Sequence, residues 1–216
     1  SKSYYPAGLA PVDFNNDGLM DILVTAEASL KTYIIFNEDL LNYEGVGNTK
    51  ILTDMNPITF TGGSPRHAVS GDFDGDGLAD LAIGAGIDNG GFYILFNETL
   101  NQFSSGSTVS LADSSNYDLL VKGPEFQYNF FASYSRTITV LDDIDGDGKD
   151  ELAASSRGLE NNNEGWSGSL YLFSGDFLSG YKGSGETITI TDSTNYNIRI
   201  DGGGEVAFLG FGQENV

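Results

Sequence analysis

The amino-acid sequence predicts an all-β protein built from repeated units of about four strands each. Three observations lead to this prediction: short apolar runs between turn residues, a high content of 29 glycines, and a repeat that recurs three times. The runs are rich in Ile, Val, Thr, Tyr and Phe, which favour strands. No segment carries a sustained apolar period of 3.6 residues, the pattern that indicates a long helix.

Three landmarks define the repeat, and they follow one another in the same order each time. The first is an acidic loop with an apolar run, in VDFNNDGLMDILVTA, SGDFDGDGLADLAIGAG and DDIDGDGKDELAASS. The second contains YIIFN, YILFN and LYLFS, and the third ILTDMN, SLADSSNY and TITDSTNY. We therefore divide the chain into approximate units 1–62, 63–122 and 123–203, with residues 204–216 as the start of a fourth.

Each unit of about 60 residues is predicted to form four antiparallel strands. In the first unit these strands are the runs DILVTA, TYIIFN, TKILTD and PITFTG. Four-stranded units repeated along a chain are typical of β-propeller blades. The whole chain, residues 1–216, is thus predicted to be a single propeller segment of three blades plus the start of a fourth. Because closed propellers have about four to eight blades, we expect the missing blades to come from the rest of a longer chain or from a second chain.

The acidic loops crowd carboxylates into tight turns, which predicts that each loop binds a hard cation. Alternate side-chain oxygens converge on one point when the loop turns at Gly77, and a carboxylate at the ninth position returns from the next strand. Ca²⁺, which accepts six to eight oxygens, fits this arrangement better than Mg²⁺. About three ions are expected, with ligands from side chains and, at the seventh position, from the backbone carbonyl. The predicted ligands are Asp13, Asn15, Asp17, Leu19 and Asp21; Asp72, Asp74, Asp76, Leu78 and Asp80; and Asp143, Asp145, Asp147, Lys149 and Glu151.

The loops differ among themselves and from the EF-hand. Asn15 lowers the charge of the first loop, and Glu151 is one methylene longer than the aspartates in its place. An EF-hand needs a bidentate Glu at the twelfth position, where this chain has Val24, Ile83 and Ala154. We therefore exclude an EF-hand.

Charge and composition restrict the partners. The chain has 31 acidic and 10 basic residues and a net charge of −21. Nucleic acids and anionic membranes bind basic patches, so neither is expected as a partner, and no apolar run is long enough to insert into a membrane. The absence of cysteine from the sequence excludes disulfides and thiolate metal sites.

The acidic loops resemble the FG-GAP or VCBS repeat. The pattern D-x-D/N-x-D-G-x-x-D/E precedes an apolar strand in units near 60 residues, LAIGAG at 81–86 is similar to the GAP element, and LGFGQENV at 209–216 is similar to the FG element. LVTAEA at 23–28 and LAASSR at 152–157 depart from GAP. This repeat builds the integrin α-subunit propeller and many bacterial extracellular propellers. The resemblance implies a propeller of about seven blades with structural Ca²⁺ in the hairpin loops.

The resemblance also implies an extracellular, non-catalytic module for adhesion or for binding a glycan or protein ligand. Two alternatives stay open: the propeller part of a secreted polysaccharide-degrading enzyme, and a structural spacer of a surface adhesin or biofilm matrix protein. Two places are candidate ligand surfaces: the aromatic cluster Phe126–Tyr134 and Trp166 beside an Asn-rich loop. Packing between blades is the competing interpretation of the aromatic cluster. The lone His67 is expected to be a surface or packed residue.

Overall fold

The computed structural model describes residues 8–41, 47, 49–86, 90–123, 138–156 and 168–201. The aromatic cluster Phe126–Tyr134, Trp166 and residues 204–216 lie outside this described part of the chain. The strands within it are β1 Gly8–Val12, β2 Asp21–Ala26, β3 Lys31–Ile35, β4 Ile58–Thr61, β5 Pro65–Gly71, β6 Asp80–Ala85, β7 Gly91–Leu95, β8 Thr108–Ser110, β9 Leu119–Lys122, β10 Ile138–Leu141, β11 Glu151–Ser156, β12 Ser169–Phe173, β13 Glu186–Thr189 and β14 Ile198–Asp201. Three short helices follow strands β3, β7 and β12: α1 Asn37–Leu41, α2 Asn97–Leu100 and α3 Gly175–Ser179.

The strands form three sheets, none of which closes on itself, so the prediction of a β-rich repeat protein is confirmed. Sheet 1 has the order β1-β2-β3-β4-β8, sheet 2 the order β5-β6-β7-β9-β13, and sheet 3 the order β10-β11-β12-β14. The first four strands of each sheet are antiparallel neighbours. β1 was not among the four strands predicted for the first unit. The division of the chain into units stays a prediction.

Sheets 1 and 2 each contain a fifth strand that the sequence analysis assigned to the next unit. β8 pairs in parallel with β4, and β13 pairs in parallel with β9. The prediction that every strand joins its own unit in an antiparallel sheet was therefore wrong for these two. The prediction of a strand at TKILTD was also wrong, because Leu52–Met55 is a 3-10 turn. The corresponding segments of the later units are β8 and β13. They are strands because each pairs with the sheet of the preceding unit.

Sheet 2 is packed on both faces. Along β7, Phe92 and Ile94 point into a core shared with sheet 3, while Tyr93 and Leu95 point into a core shared with sheet 1. Every residue of β6 and β7 is buried. This explains why, after Asp80, their sequences do not alternate between polar and apolar residues. The three sheets are thus stacked face to face, and two cores hold them together.

The first strands of the three sheets, β1, β5 and β10, lie side by side at one border of this stack. Together they line a pocket of about 330 Å³ that includes Gly8, His67 and Val140. His67 is half-buried, and its Nδ1 lies 3.3 Å from the place where a Cβ on Gly8 would be. His67 is thus a packed residue between two neighbouring strands, in agreement with the prediction.

A substitution at Gly185 tests the packing of β13, the strand of the third unit that joins sheet 2. Gly185 precedes β13, its φ is +63°, and a Cβ there would lie 2.5 Å from the Ser114 carbonyl oxygen. We expect Gly185→Ala to lower the free energy of unfolding by about 2–4 kcal/mol, through left-handed strain and overpacking. Gly183→Ala is the matched control, because its φ is +69° but nothing lies within 4 Å. Urea unfolding should show that Gly183→Ala lowers the free energy of unfolding by only about 1–2 kcal/mol. Equal losses in the two variants would contradict the close contact between Gly185 and the Ser114 carbonyl.

Candidate metal centres

The three acidic loops join the first and second strands of the three sheets. Loop 1 (residues 13–20) lies between β1 and β2, loop 2 (72–79) between β5 and β6, and loop 3 (143–150) between β10 and β11. All are therefore hairpin loops of antiparallel pairs. The structure places every predicted ligand in these loops or at the first residue of the following strand.

The aspartate at the first position organises each loop by accepting backbone hydrogen bonds from further along it. Its Oδ2 accepts from the N–H of the sixth residue: Gly18 to Asp13 at 2.9 Å, Gly77 to Asp72 at 2.9 Å, and Gly148 to Asp143 at 3.0 Å. Its Oδ1 accepts from a residue three or four positions on. The loop is thus folded around this carboxylate.

Carboxylates at the fifth position bind the backbone at the seventh. Leu19, Leu78 and Lys149 donate their N–H groups to Asp17, Asp76 and Asp147 at 2.8, 2.8 and 2.9 Å. This hydrogen bond lowers the pKa of Asp17, with further contributions from the amides of Asn15 and Asn37. Ligation of a metal by the carbonyls of the seventh residues stays a prediction.

Two positions in each loop adopt a left-handed backbone. The sixth residues Gly18, Gly77 and Gly148 have φ between 81° and 88°, as predicted from the conformational freedom of glycine. The fourth residues are also left-handed: Gly75 at 77°, Gly146 at 82° and Asn16 at 54°. The sequence analysis missed this second requirement. The signal was present, since Gly and Asn are the residues that tolerate such angles best.

The carboxylates at the ninth position are buried and hold the loop to the rest of its sheet. Asp80 is fully buried; its Oδ2 accepts the N–H of Phe73 and its Oδ1 the N–H of Asn97, both at 2.8 Å. Asp21 makes the same pair of bonds to Phe14 and Asn37 at 3.0 and 2.9 Å. In loop 3 the longer Glu151 accepts from Ile144 at 2.8 Å and from Gly175 at 3.5 Å. The predicted ligand therefore also joins the loop to the end of the third strand.

Burial changes the acidity of these groups. Desolvation raises the pKa of Asp80 to about 8, and the nearby charges of Asp74 and Asp76 act in the same direction, against the two backbone hydrogen bonds. Desolvation also raises the pKa of Asp21. A bound cation would favour the ionised carboxylate and offset this effect.

Loops 2 and 3 bring together carboxylates that fit a metal ion. Oxygen atoms of Asp72, Asp74 and Asp80 lie within 4.8 Å of one another, and so do those of Asp143, Asp145 and Glu151. A further group joins Asp74 and Asp76 to Glu98. Among the described residues no such trio of carboxylates forms in loop 1, where Asn15 offers an amide oxygen. All these donors are oxygens, the atoms preferred by Ca²⁺ and Mg²⁺.

Two lysines form ion pairs at the loops: Lys182, from the segment between α3 and β13, and Lys149, within loop 3. Lys182 forms ion pairs with Asp74 of loop 2 and with Glu98. Lys149, at the seventh position of loop 3, pairs with Asp176. The Lys182 ammonium therefore partly neutralises loop 2, and a metal bound through Asp74 would compete with it.

Asp150 connects loop 3 to loop 2, a role that the sequence analysis missed. It is half-buried, and its carboxylate accepts the N–H of Asp72 at 2.8 Å. Its own N–H donates to the Asp72 carbonyl at 2.7 Å. Loops 2 and 3 are therefore joined by one side chain–backbone and one backbone–backbone hydrogen bond.

Comparison with known proteins agrees with this geometry in the middle of the chain. Residues 64–95 match the family model of the FG-GAP repeat, and this stretch comprises β5, loop 2, β6 and β7. The chain contains an FG-GAP repeat. No curated protein matches the chain. The predicted FG-GAP repeat is confirmed for this stretch, while its integrin-like and bacterial affinities stay predictions. Within the described residues, no helix is long and apolar enough to span a membrane.

Proposed function

We propose that this chain is a calcium-stabilised segment of a β-propeller, in which Ca²⁺ fixes the hairpin loops at one end of each blade. One observation carries the proposal: three loops share one hydrogen-bonding frame, and in two of them carboxylate oxygens from positions one, three and nine lie within 4.8 Å. Asp143, Asp145 and Glu151 would hold the ion in loop 3, and Asp72, Asp74 and Asp80 would hold it in loop 2. The ion supplies positive charge that offsets the repulsion between these carboxylates.

The propeller arrangement is supported by how the sheets meet. Antiparallel sheets packed face to face, with their first strands β1, β5 and β10 side by side, are what blades around a common axis require. The FG-GAP repeat in the middle sheet supports the same arrangement. We propose that blades beyond these three complete the ring, to about seven in total.

The proposed role of the module is extracellular adhesion through a glycan or protein ligand, without catalysis. Its support is the FG-GAP repeat together with a net charge of −21, which favours solubility. The carboxylates closest to one another are engaged with backbone N–H groups of the loops, which suits a structural role. A glycan array and a degradation assay distinguish the alternatives: cleavage of a polysaccharide would indicate an enzyme, and neither binding nor cleavage a spacer.

Exchanging the third residue between loops tests the metal assignment. Asp145→Asn gives loop 3 the amide that loop 1 has at Asn15, and Asn15→Asp gives loop 1 the full set of carboxylates. We expect Asp145→Asn to weaken Ca²⁺ binding at one site about tenfold or more and Asn15→Asp to strengthen it at another, because Ca²⁺ affinity depends on the number of charged ligands. Asp142→Asn, an exposed neighbour with the same change of charge, is the control. Equal effects of Asp142→Asn and Asp145→Asn on calorimetric titration would contradict specific ligation.

A further inference from the structure

The two fifth strands pair with their hosts in one common register. In sheet 1, Thr108 lies opposite Thr59 and Val109 opposite Phe60. In sheet 2, Thr187 lies opposite Leu120 and Ile188 opposite Val121. The host residues correspond, because Thr59 and Leu120 each lie opposite the tyrosine of the third strand, Tyr33 or Tyr93. An apolar residue of the fifth strand therefore always meets the apolar third residue of the fourth strand.

The fourth strand of sheet 3, β14, has the same position but an uncovered edge. Arg199 lies opposite Tyr171, so Ile200 corresponds to Phe60 and Val121. Within the described residues β14 pairs with β12 alone. Ile198 is 51% exposed and Ile200 46%, whereas Val121 and Phe60 are fully buried. The side chains of Ile198 and Ile200 lie on the sheet face that corresponds to the one with Phe60 and Val121, next to the uncovered edge of β14, and they form an apolar docking surface there.

We propose that the free edge of β14 binds a parallel strand of the sequence Ser-Gly-x-Thr-Val/Ile-Ser/Thr-Leu/Ile, supplied by a further repeat unit outside these 216 residues. Both known fifth strands carry this sequence, at residues 105–111 and 184–190. The common register then sets Ile200 opposite the Val or Ile of that strand and Arg199 opposite its Thr. This inference rests on the proposed propeller arrangement and names the surface at which the next blade joins.

The two fifth strands make similar hydrogen bonds at both ends, and these bonds explain the residues on either side of the Thr-Val/Ile pair. The serine hydroxyl before the fifth strand donates to a carbonyl one or two residues before the host strand: Ser105 to Asn56 at 2.7 Å and Ser184 to Asp118 at 2.8 Å. The apolar residue after the strand donates its N–H to the last residue of the host strand. Leu111 bonds to Thr61 at 2.7 Å and Ile190 to Lys122 at 3.1 Å, and both apolar side chains are buried.

Segments of this chain fit the free edge less well than a further unit does. The corresponding segment of the first unit reads Thr49-Lys50-Ile51 and would place a lysine opposite Ile200. β8 and β13 are already engaged with sheets 1 and 2. In both sheets the fifth strand lies far along the chain from its host strand. β4 ends at Thr61 and β8 starts at Thr108, while β9 ends at Lys122 and β13 starts at Glu186.

Disulfide trapping tests both the partner and the register. The probe is a synthetic peptide of residues 183–192, the β13 sequence, with Ile188→Cys, added to the full chain carrying Ile200→Cys. Because the chain has no cysteine, adducts form at these positions only. We expect at least tenfold more adduct with Ile200→Cys than with Arg199→Cys, since neighbouring residues of a strand point to opposite faces. Equal trapping at both positions, trapping by a scrambled peptide, or self-linked chains in place of peptide adducts would overturn the proposal.

A second measurement does not need a cysteine. Fluorescence anisotropy of the labelled, unmodified peptide should show binding to the chain that weakens at least tenfold in Ile200→Lys, which places a charge in the apolar contact with the docked strand. Unchanged binding would contradict docking at β14. Calcium titration of the same samples separates the two proposals, because a chain that binds Ca²⁺ but does not trap the peptide overturns only the edge proposal.

Discussion

Asp80→Ala should lower the free energy of unfolding by about 2–5 kcal/mol, even when a chelator removes every divalent ion. The reason is that Asp80 is fully buried and accepts the backbone N–H groups of Phe73 and Asn97, both at 2.8 Å. Removal of the carboxylate leaves two buried donors without partners, and each costs about 1–3 kcal/mol. Urea unfolding in excess chelator measures this loss apart from any effect on metal binding.

Asp80→Glu is the matched variant, because loop 3 uses Glu151 at the corresponding position and keeps both of its backbone partners. The additional methylene must fit a fully buried site, so we expect a loss of about 1–2 kcal/mol. If Asp80→Ala and Asp80→Glu were equally stable in chelator, the carboxylate would have no role in joining loop 2 to the third strand.

Asp118→Ala should be the most damaging single change between sheets 2 and 3. The Asp118 side chain is buried and accepts from Phe96 N–H at 2.7 Å, Thr99 Oγ1 at 2.9 Å and Gly183 N–H at 2.6 Å. Gly183 belongs to the segment that leads into β13, so one carboxylate links the two units. We expect a loss of about 2–5 kcal/mol in the free energy of unfolding, measured by urea denaturation.

Asp118→Asn separates the hydrogen bonds from the volume of the side chain. The third unit has Asn197 at this position, and its Oδ1 accepts the N–H of Ser174 at 2.8 Å, as Asp118 does for Phe96. We therefore expect Asp118→Asn to keep that bond, to lose the bond from Gly183, and to cost about half as much as Asp118→Ala. A loss as large as that of alanine would show that the charge matters more than the acceptor geometry.

The sequence predicted the elements that are encoded locally. Gly at the sixth loop position and Asp at the first define the turn by themselves, so the three loops and the strand after each were found by spacing alone. The same holds for antiparallel pairs that a short connection joins, such as β2 with β3 and β6 with β7. Comparison of the three loops also showed which of their residues correspond, and a single loop does not give this information.

Contacts between units could not be predicted in this way, because local patterns carry no information on the partner sheet. β8 and β13 have ordinary strand sequences, and only their neighbours show that they cross to the preceding sheet. Asp118 and Asp150 look like surface aspartates, yet one is buried between units and the other joins two loops. The dual role of Asp80 was missed for the same reason, since its partner Asn97 lies 17 residues away.

Calorimetric titration of Ca²⁺ into chelator-stripped protein tests the central claim most directly. We expect about three sites, the weakest of them strengthened by Asn15→Asp, and a melting temperature that rises with free Ca²⁺ as mass action requires for an ion that binds the folded state. Absence of binding at millimolar Ca²⁺, with an unchanged melting temperature, would contradict it. The loops would then be acidic hairpins held by their own backbone hydrogen bonds.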